Sequence, residues 1–431
     1  MAMCDVKKIY DSLQVLEGEE ASLSRRERLL ALTGPLLAWY GSRARSLPWR
    51  EEPAPYRVWI SEIMLQQTRV EAVKPYFERF MAAFPGVKEL AEAEDDHLMK
   101  MWEGLGYYNR ARNLKAAAGK VMEEYGGQLP VSYEELLSLP GIGSYTAGAI
   151  ASIAYGIPVP AVDGNVLRVI SRILGDREDI KKASVKKRME EELGQVMPRT
   201  EVSSYNQGLI ELGALVCIPG GEPRCSECPA EGICLTARNG WWREIPCKAP
   251  KKPRRLEDWT ILVIGRPGRA LLRRRPDTGL LASLYEFPGT EGHISEKEAL
   301  AAAAALAGVE EEAVDQVISL PASKHIFSHV EWHMTGYRIL LKEEGEGDGL
   351  CFMADCEALS SSYALPNAFR TYTEAFMEEC KGQDKLTKKG YTEKGGNAHE
   401  TDAVCIQSPF REGADPGTPS GDTGSLYKGR L

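Results

Sequence analysis

Two carboxylates, a glycine-rich turn and a cysteine cluster are the parts of this chain whose types and spacing suit chemistry. Glu62 lies in PYRVWISEIMLQQT, framed by Trp59, Ile60 and Ile63. A carboxyl held in an apolar frame keeps its proton to higher pH and can act as a general acid, whereas a lone glutamate on a helix is otherwise an ordinary solvated face. Asp163, in VDGNV, precedes the helical run Val166 to Leu174. It reads as an N-cap, a position that also aims a carboxylate rigidly. In LPGIGSYTAGAI, Leu139 to Ile150, Gly141 and Gly143 let a short turn expose backbone N–H groups, and a helix starting near Ser144 adds its positive end. Such a turn grips a phosphate. No strand-like run precedes it and no Gly-Lys-Ser/Thr follows, so it is not a nucleotide loop. Cys217, Cys225, Cys228 and Cys234 are separated by gaps of seven, two and five residues, with Pro219, Gly220, Gly221 and Pro223 bending the chain between them. Four thiolates so close can surround tetrahedral zinc or a [4Fe–4S] cluster. Four idle structural cysteines are disfavoured at this density.

These groups must be positioned by helices. From Leu29–Tyr40 to about residue 216 apolar residues recur at three and four residue spacing, as at Val70, Val73, Phe77 and Phe80 or Leu136 and Leu139. Pro85-Gly86, Gly126-Gly127, Gly156 to Pro160 and Pro198 punctuate the pattern into helices of ordinary length. KAPKKPRR, Lys248 to Arg255, carries five cations and two prolines and reads as a linker. Beyond it Trp259–Ile264 is apolar and β-branched, Val330–Leu340 partly alternates, and an alanine-rich helix, Glu298–Leu306, lies between. The expected class is therefore multidomain: an all-α domain at 23–247, a linker at 248–256, and a small α+β domain at 257–379. Residues 1–22 and 380–431, polar and poor in large apolar side chains, are expected to be disordered tails.

The chain has 431 residues, enough for two cores, with 43% hydrophobic residues and a net charge of −9. The acidic balance does not exclude a nucleic-acid partner, because the local field at the binding face decides. No apolar run long enough for a membrane span and no apolar N-terminal segment is present, so an intracellular monomer without membrane partners is expected, cytoplasmic or nucleoid-associated if bacterial. Ten cysteines without an export signal point away from a disulfide framework.

LPGIGSYTAGAI resembles the helix-hairpin-helix signature of the endonuclease III and MutY superfamily of DNA glycosylases. PWREEPAPYRVWISEIMLQQTRV, Pro48 to Val70, closely resembles the opening motif of its MutY-type adenine glycosylase branch, and the likeness covers about residues 25–375. The resemblance implies excision of adenine mispaired with 8-oxoguanine or guanine in duplex DNA, leaving an abasic site. It implies Glu62 as the acid toward adenine N7, Asp163 as the carboxylate facing the sugar cation, and Asn165 orienting it. Tyr145 stands where the endonuclease III branch has a Schiff-base lysine, implying a glycosylase without strand-cleaving activity.

The adenine pocket implied is Arg45, Leu47, Trp49, Arg50 and Glu211, with Leu65, Gln67, Thr68 and Tyr107, from the Tyr107-Tyr108 pair, opening the base stack. One [4Fe–4S] cluster is implied on the four cysteines, where the family's first gap is usually six. There Arg224 and Arg238 would meet phosphates, and Cys247 is a bystander. The C-terminal part resembles a MutT-like domain, with alanines in Glu298–Gly308 where a working hydrolase needs metal-binding glutamates. Its Phe327-Ser328-His329 loop is implied to read 8-oxoguanine. His325, His329 and His333, spaced by four, fall on loop and strand where that spacing does not converge on a metal. A related glycosylase acting on a thymine or uracil mispair, or a non-catalytic iron-sulfur DNA-binding module, are the alternatives. The Phe-Ser-His loop speaks against the first and the presence of both carboxylates against the second.

Overall fold

Ser24 starts the helical domain, accepting from the Glu27 N–H while the Glu27 carboxylate accepts from the Ser24 N–H, a reciprocal cap. The computed structural model describes residues 23–250, 253–343, 345, 347 and 349–393. The expected N-terminal tail and the chain after 393 lie outside the described residues. The longer helices of the first domain are α1 (Arg25–Arg43), α2 (Pro55–Leu65), α3 (Val70–Ala83), α4 (Asp95–Trp102), α5 (Asn109–Tyr125), α6 (Ser144–Ala149, continued by a π turn to Ala154), α7 (Gly164–Leu174), α8 (Ala183–Val196) and α9 (Val202–Leu215). Shorter turns at Pro48–Glu51, Val87–Ala91, Tyr133–Leu137 and Leu235–Asn239 join them.

The helical domain has two cores. One gathers Trp59, Ile60 and Ile63 of α2 with Phe77 and Phe80 of α3, Leu114 of α5 and Ile150. The other gathers Leu29, Leu32 and Leu36 of α1 with Val166 and Ile170 of α7, Leu193 of α8 and Leu209 and Leu212 of α9. Of the periodic residues singled out on α3, Val73, Phe77 and Phe80 are buried, and Val70 at its first turn packs partly buried against the same core. Pro55 opens α2 at its first turn, where a missing N–H costs nothing, and Tyr56 and every residue from Val58 to Met64 are buried, Glu62 among them.

The second domain carries strands β1 (Arg255–Gly265), β2 (Arg269–Arg274), β3 (Tyr285–Glu286), β4 (Gly289–Glu291), β5 (Val314–Ile326), β6 (Val330–Leu341) and β7 (Cys351–Asp355), with helices α10 (Glu296–Ala307), α11 (Cys356–Ser361) and α12 (Arg370–Glu393). One mixed sheet runs β4-β1-β6-β5, with β1 parallel to β6 and both flanking pairs antiparallel; a second runs β3-β2-β7. Leu262, Ile264 and Ile339 pack beneath the alanines of α10, while Ile261, Trp332 and Met334 face Phe369, Tyr372 and Phe376. Leu284 and Ala364 of this domain enter the first helical core.

Three expectations are corrected. The linker is shorter at its end, since Arg255 and Leu256 pair with Val330 and Glu331 and the strand starts there. The chain does not become a tail at 380, because α12 continues to Glu393; the turn of apolar residues Phe369, Tyr372 and Phe376 anchors it and the polar residues beyond extend it. A disulfide joins Cys356 to Cys380, whose Cα atoms are 6.2 Å apart where α11 meets α12. The two cysteines lie 24 residues apart in sequence with no motif to link them. Described residues to Gln383 form one compact unit; residues from Asp384 fall in another, of which the helical stretch to Glu393 is described.

Candidate active site

Glu62 sits on α2 with 6% of its surface exposed. Its carboxyl is pushed up to about 7, first by burial and further by the nearby Asp163, against the pull of a hydrogen bond from Tyr145 and the Arg50 charge. The Tyr145 hydroxyl donates to Glu62 Oε2 at 2.5 Å. Burial and the two neighbouring carboxylates raise the phenol well above its ordinary value, so it remains a neutral donor.

Asp163 is the N-cap of α7. Its Oδ1 accepts from the Asn165 and Val166 N–H groups, each at 2.8 Å, and Oδ2 accepts from Asn165 Nδ2 at 2.7 Å. Burial raises this carboxyl, and these donors oppose the shift. Asn165 is itself held: Arg168 Nη2 donates to its Oδ1 at 2.9 Å, while Arg168 Nε donates to the Cys217 carbonyl at 2.8 Å. Arg168, which the sequence did not mark, lies one turn after Asn165 on α7. Gly213 of α9 permits this packing, because a Cβ there would meet Asn165 Cβ at 2.7 Å.

Glu62, Tyr145, Asp163 and Asn165 line one cavity of about 620 Å³ together with Arg45, Leu47, Trp49, Arg50, Leu65, Gln67, Thr68 and Glu211. Every residue assigned to catalysis or to the pocket therefore meets there, along with Gln66, Arg69, Gln207 and Ile210, which the sequence did not mark. Burial would raise Glu211, yet hydrogen bonds from Arg45 and Arg50 bring it down to about 2. Arg45 Nε and Nη2 donate to its two oxygens at 2.7 and 2.9 Å, and Arg50 Nη2 donates at 2.9 Å. Glu211 is thus an ionised anchor that fixes two arginines at the rim. The Trp49 ring is edge-on to Phe77 at 5.5 Å between centroids.

Three further sets lie outside the cavity. Gly141 adopts φ +75°, where a Cβ would meet Asn113 Cβ at 2.6 Å, and Gly143 is the N-cap of α6. Tyr107 is 49% exposed at φ +48°, whereas Tyr108 is buried. Ser328 and His329 are exposed in the turn between β5 and β6, and the Tyr107 hydroxyl lies 3.5 Å from Ser328 Oγ. Phe327 is half-buried, edge-on to His325 and Trp332. His325 and His333 stand on neighbouring strands opposite Trp332 and Lys324, with His329 in the turn between them.

The four cysteines line a small apolar cavity with Val169, Ile173 and Leu212. Arg172 Nη1 lies 3.3 Å from Cys217 Sγ and the Ala237 N–H donates to Cys234 Sγ at 3.4 Å. Donors aimed at sulfur suit thiolates. Cys247 is outside this set, its thiol donating to the Glu244 carbonyl.

Comparison with known proteins adds names to this geometry. The family described as HhH-GPD superfamily base excision DNA repair protein matches residues 60–195, and the NUDIX domain family matches 260–375. The adenine DNA glycosylase of Mus musculus is 32% identical, over 82% of this chain and 80% of that protein. The adenine DNA glycosylase of Homo sapiens is 36% identical, over 62% of this chain and 59% of that protein. Among solved structures, a non-covalent endonuclease III–DNA complex is 25% identical with a TM-score of 0.44, covering 51% of this chain and 98% of that one.

Proposed function

This chain belongs to the adenine DNA glycosylases of base-excision repair, and from that premise we propose that it removes adenine lying opposite 8-oxoguanine or guanine in duplex DNA. The observation that carries the mechanism is the pair of unlike carboxylates facing one cavity, one protonated near neutrality and one clamped by three donors. Adenine is extruded from the stack into the cavity, since its glycosidic bond is out of reach inside a duplex. Glu62 gives its proton to N7, the C1′–N9 bond breaks with its electron pair leaving on the base, and Asp163 faces the sugar cation. Water adds its oxygen to C1′, and its proton restores Glu62. Tyr145 orients the acid and, lacking an amine, forms no Schiff base, so the backbone stays intact.

Ser328 supports the lesion reading: its exposed hydroxyl adjoins the exposed Tyr107, so a base opposite the wedge would meet an acceptor for the N7–H of 8-oxoguanine, which guanine lacks. The glycine turn at Gly141 to Gly143 supports a grip on the DNA backbone. The four cysteines Cys217, Cys225, Cys228 and Cys234 around one small apolar cavity, with donors on the Cys217 and Cys234 sulfurs, support one [4Fe–4S] cluster held there. Such a cluster, when bound, has all its ligands from protein and supplies structure to the loop rather than chemistry to the base.

Glu62→Gln tests the mechanism. It should bind a duplex with adenine opposite 8-oxoguanine as the parent does and release no adenine; release at the parent rate would remove Glu62 from the acid's role.

A further inference from the structure

Arg110, the second residue of α5, is 9% exposed, and its guanidinium has no carboxylate partner among the described residues. Carbonyls surround it instead. Nη1 donates to Ile63, Met64 and Gln66 oxygens at 2.7, 2.9 and 2.8 Å, the C-terminal end of the helix that carries Glu62. Nη2 donates to Leu105 and Gly106 oxygens at 3.1 and 3.0 Å and to Thr68 Oγ1 at 3.4 Å. The cation also lies 5.2 Å from the Trp102 ring centroid and 5.7 Å from that of Tyr107.

A cation at the carbonyl end of a helix is favourable, but burying one without a counter-ion is costly. Capping α2 alone would need only one arm of the fork. The other arm reaches the chain just before Tyr107, so one side chain joins two segments that each present an exposed residue in the left-handed region: Gln67 at φ +58° and Tyr107 at φ +48°. Non-glycine residues leave that region unless their surroundings hold them there, at a cost of order 1–3 kcal/mol each.

We propose that Arg110 is a positioning residue for base extrusion, locking Gln67 and Tyr107 as one two-pronged wedge onto the end of the acid's helix. Opening the stack and presenting the base to Glu62 then share one rigid frame. The inference rests on the reading that adenine is flipped into the cavity.

The test uses the full-length protein and a duplex carrying the fluorescent base 2-aminopurine at the adenine position opposite 8-oxoguanine. The parent should give a fluorescence rise on mixing. Arg110→Lys, which keeps the charge but not the fork, should lose most of that rise and slow single-turnover adenine release about tenfold or more. Its pH–rate inflection should stay where the parent's is, because Glu62 is untouched. Adding Tyr107→Ala should cost nothing further, since both changes disable the same wedge. Should Arg110→Lys not fold, Gly106→Val carries the test: a Cβ there has open space, but φ +70° disfavours a branched residue and turns the carbonyl from Arg110. It should show the same pattern. A parent-like fluorescence rise in the folded variant overturns the inference alone. No rise with the parent overturns the extrusion reading and this inference with it.

Discussion

Glu62 is costly to the fold for the same reason that it can serve as an acid. Its carboxyl releases a proton near 4.5 in the unfolded chain and near 7 in the folded one. Between those values the folded chain binds more protons than the unfolded, so stability falls as pH rises through the window. Glu62→Gln, whose amide oxygen can still accept from Tyr145, should match the parent's stability at pH 4. At pH 8 it should be more stable by ~3 kcal/mol, measured by denaturant unfolding. Single-turnover adenine release by the parent should decline above about 7, where Glu62 loses its proton, and fall again on the acid side as the buried Asp163 carboxylate, which faces the sugar cation, gains one. Loss of activity with rising pH already near 4.5 would place the working acid in a solvated setting, not at Glu62. The raised carboxyl was legible in the sequence because Trp59, Ile60 and Ile63 surround it on one short helix. Arg110 and Arg168 were not legible: a buried arginine reads as an exposed one until the carbonyls it meets, 44 to 49 residues away, are folded onto it.

Among the elements, α7 and α9 decide where Asp163 points. The cap bonds fix Asp163 to the start of α7, and Gly213 lets α9 come close enough to hold Asn165 against it. Gly213→Ala would press on Asn165 Cβ and its backbone, neither of which is a flexible end. Overpacking of this kind costs about 1–3 kcal/mol. The variant should bind lesion duplex normally and release adenine at least ~10-fold more slowly, and a parent-like rate would show that α9 does not set the carboxylate's position. The helices and two of the three long strands, β1 and β6, were readable from apolar spacing and alternation, whereas β5, mostly exposed and without an apolar face, was not. Less readable were element ends: two strand residues were hidden among the cations of the linker, and the polar second half of α12 looked like tail because only its first turns carry core residues.

At the scale of the whole molecule, docking of the sheet domain brings Ser328 to Tyr107. Lys100 of α4 donates to the Leu359 and Tyr363 carbonyls at 2.8 and 3.1 Å, Glu103 accepts from the Leu365 N–H at 2.7 Å, and the Tyr285 hydroxyl donates to Asp96 at 2.9 Å. These contacts hold the segment between α11 and α12 against the chain that leads to Tyr107. None was visible in sequence, since they join residues some 190 to 260 positions apart, most of them through backbone groups. Lys100→Ala should leave excision opposite guanine nearly unchanged and reduce the preference for 8-oxoguanine over guanine about tenfold, equivalent to ~1.4 kcal/mol. Equal losses on both duplexes would make the docking a matter of stability alone. The most direct test of the whole account is a single-turnover reaction on a duplex with one adenine opposite 8-oxoguanine, stopped with and without alkali, beside an adenine:thymine control. Strand breaks are expected only after alkali and only in the lesion duplex; breaks without alkali, or none at all, would contradict a monofunctional adenine glycosylase.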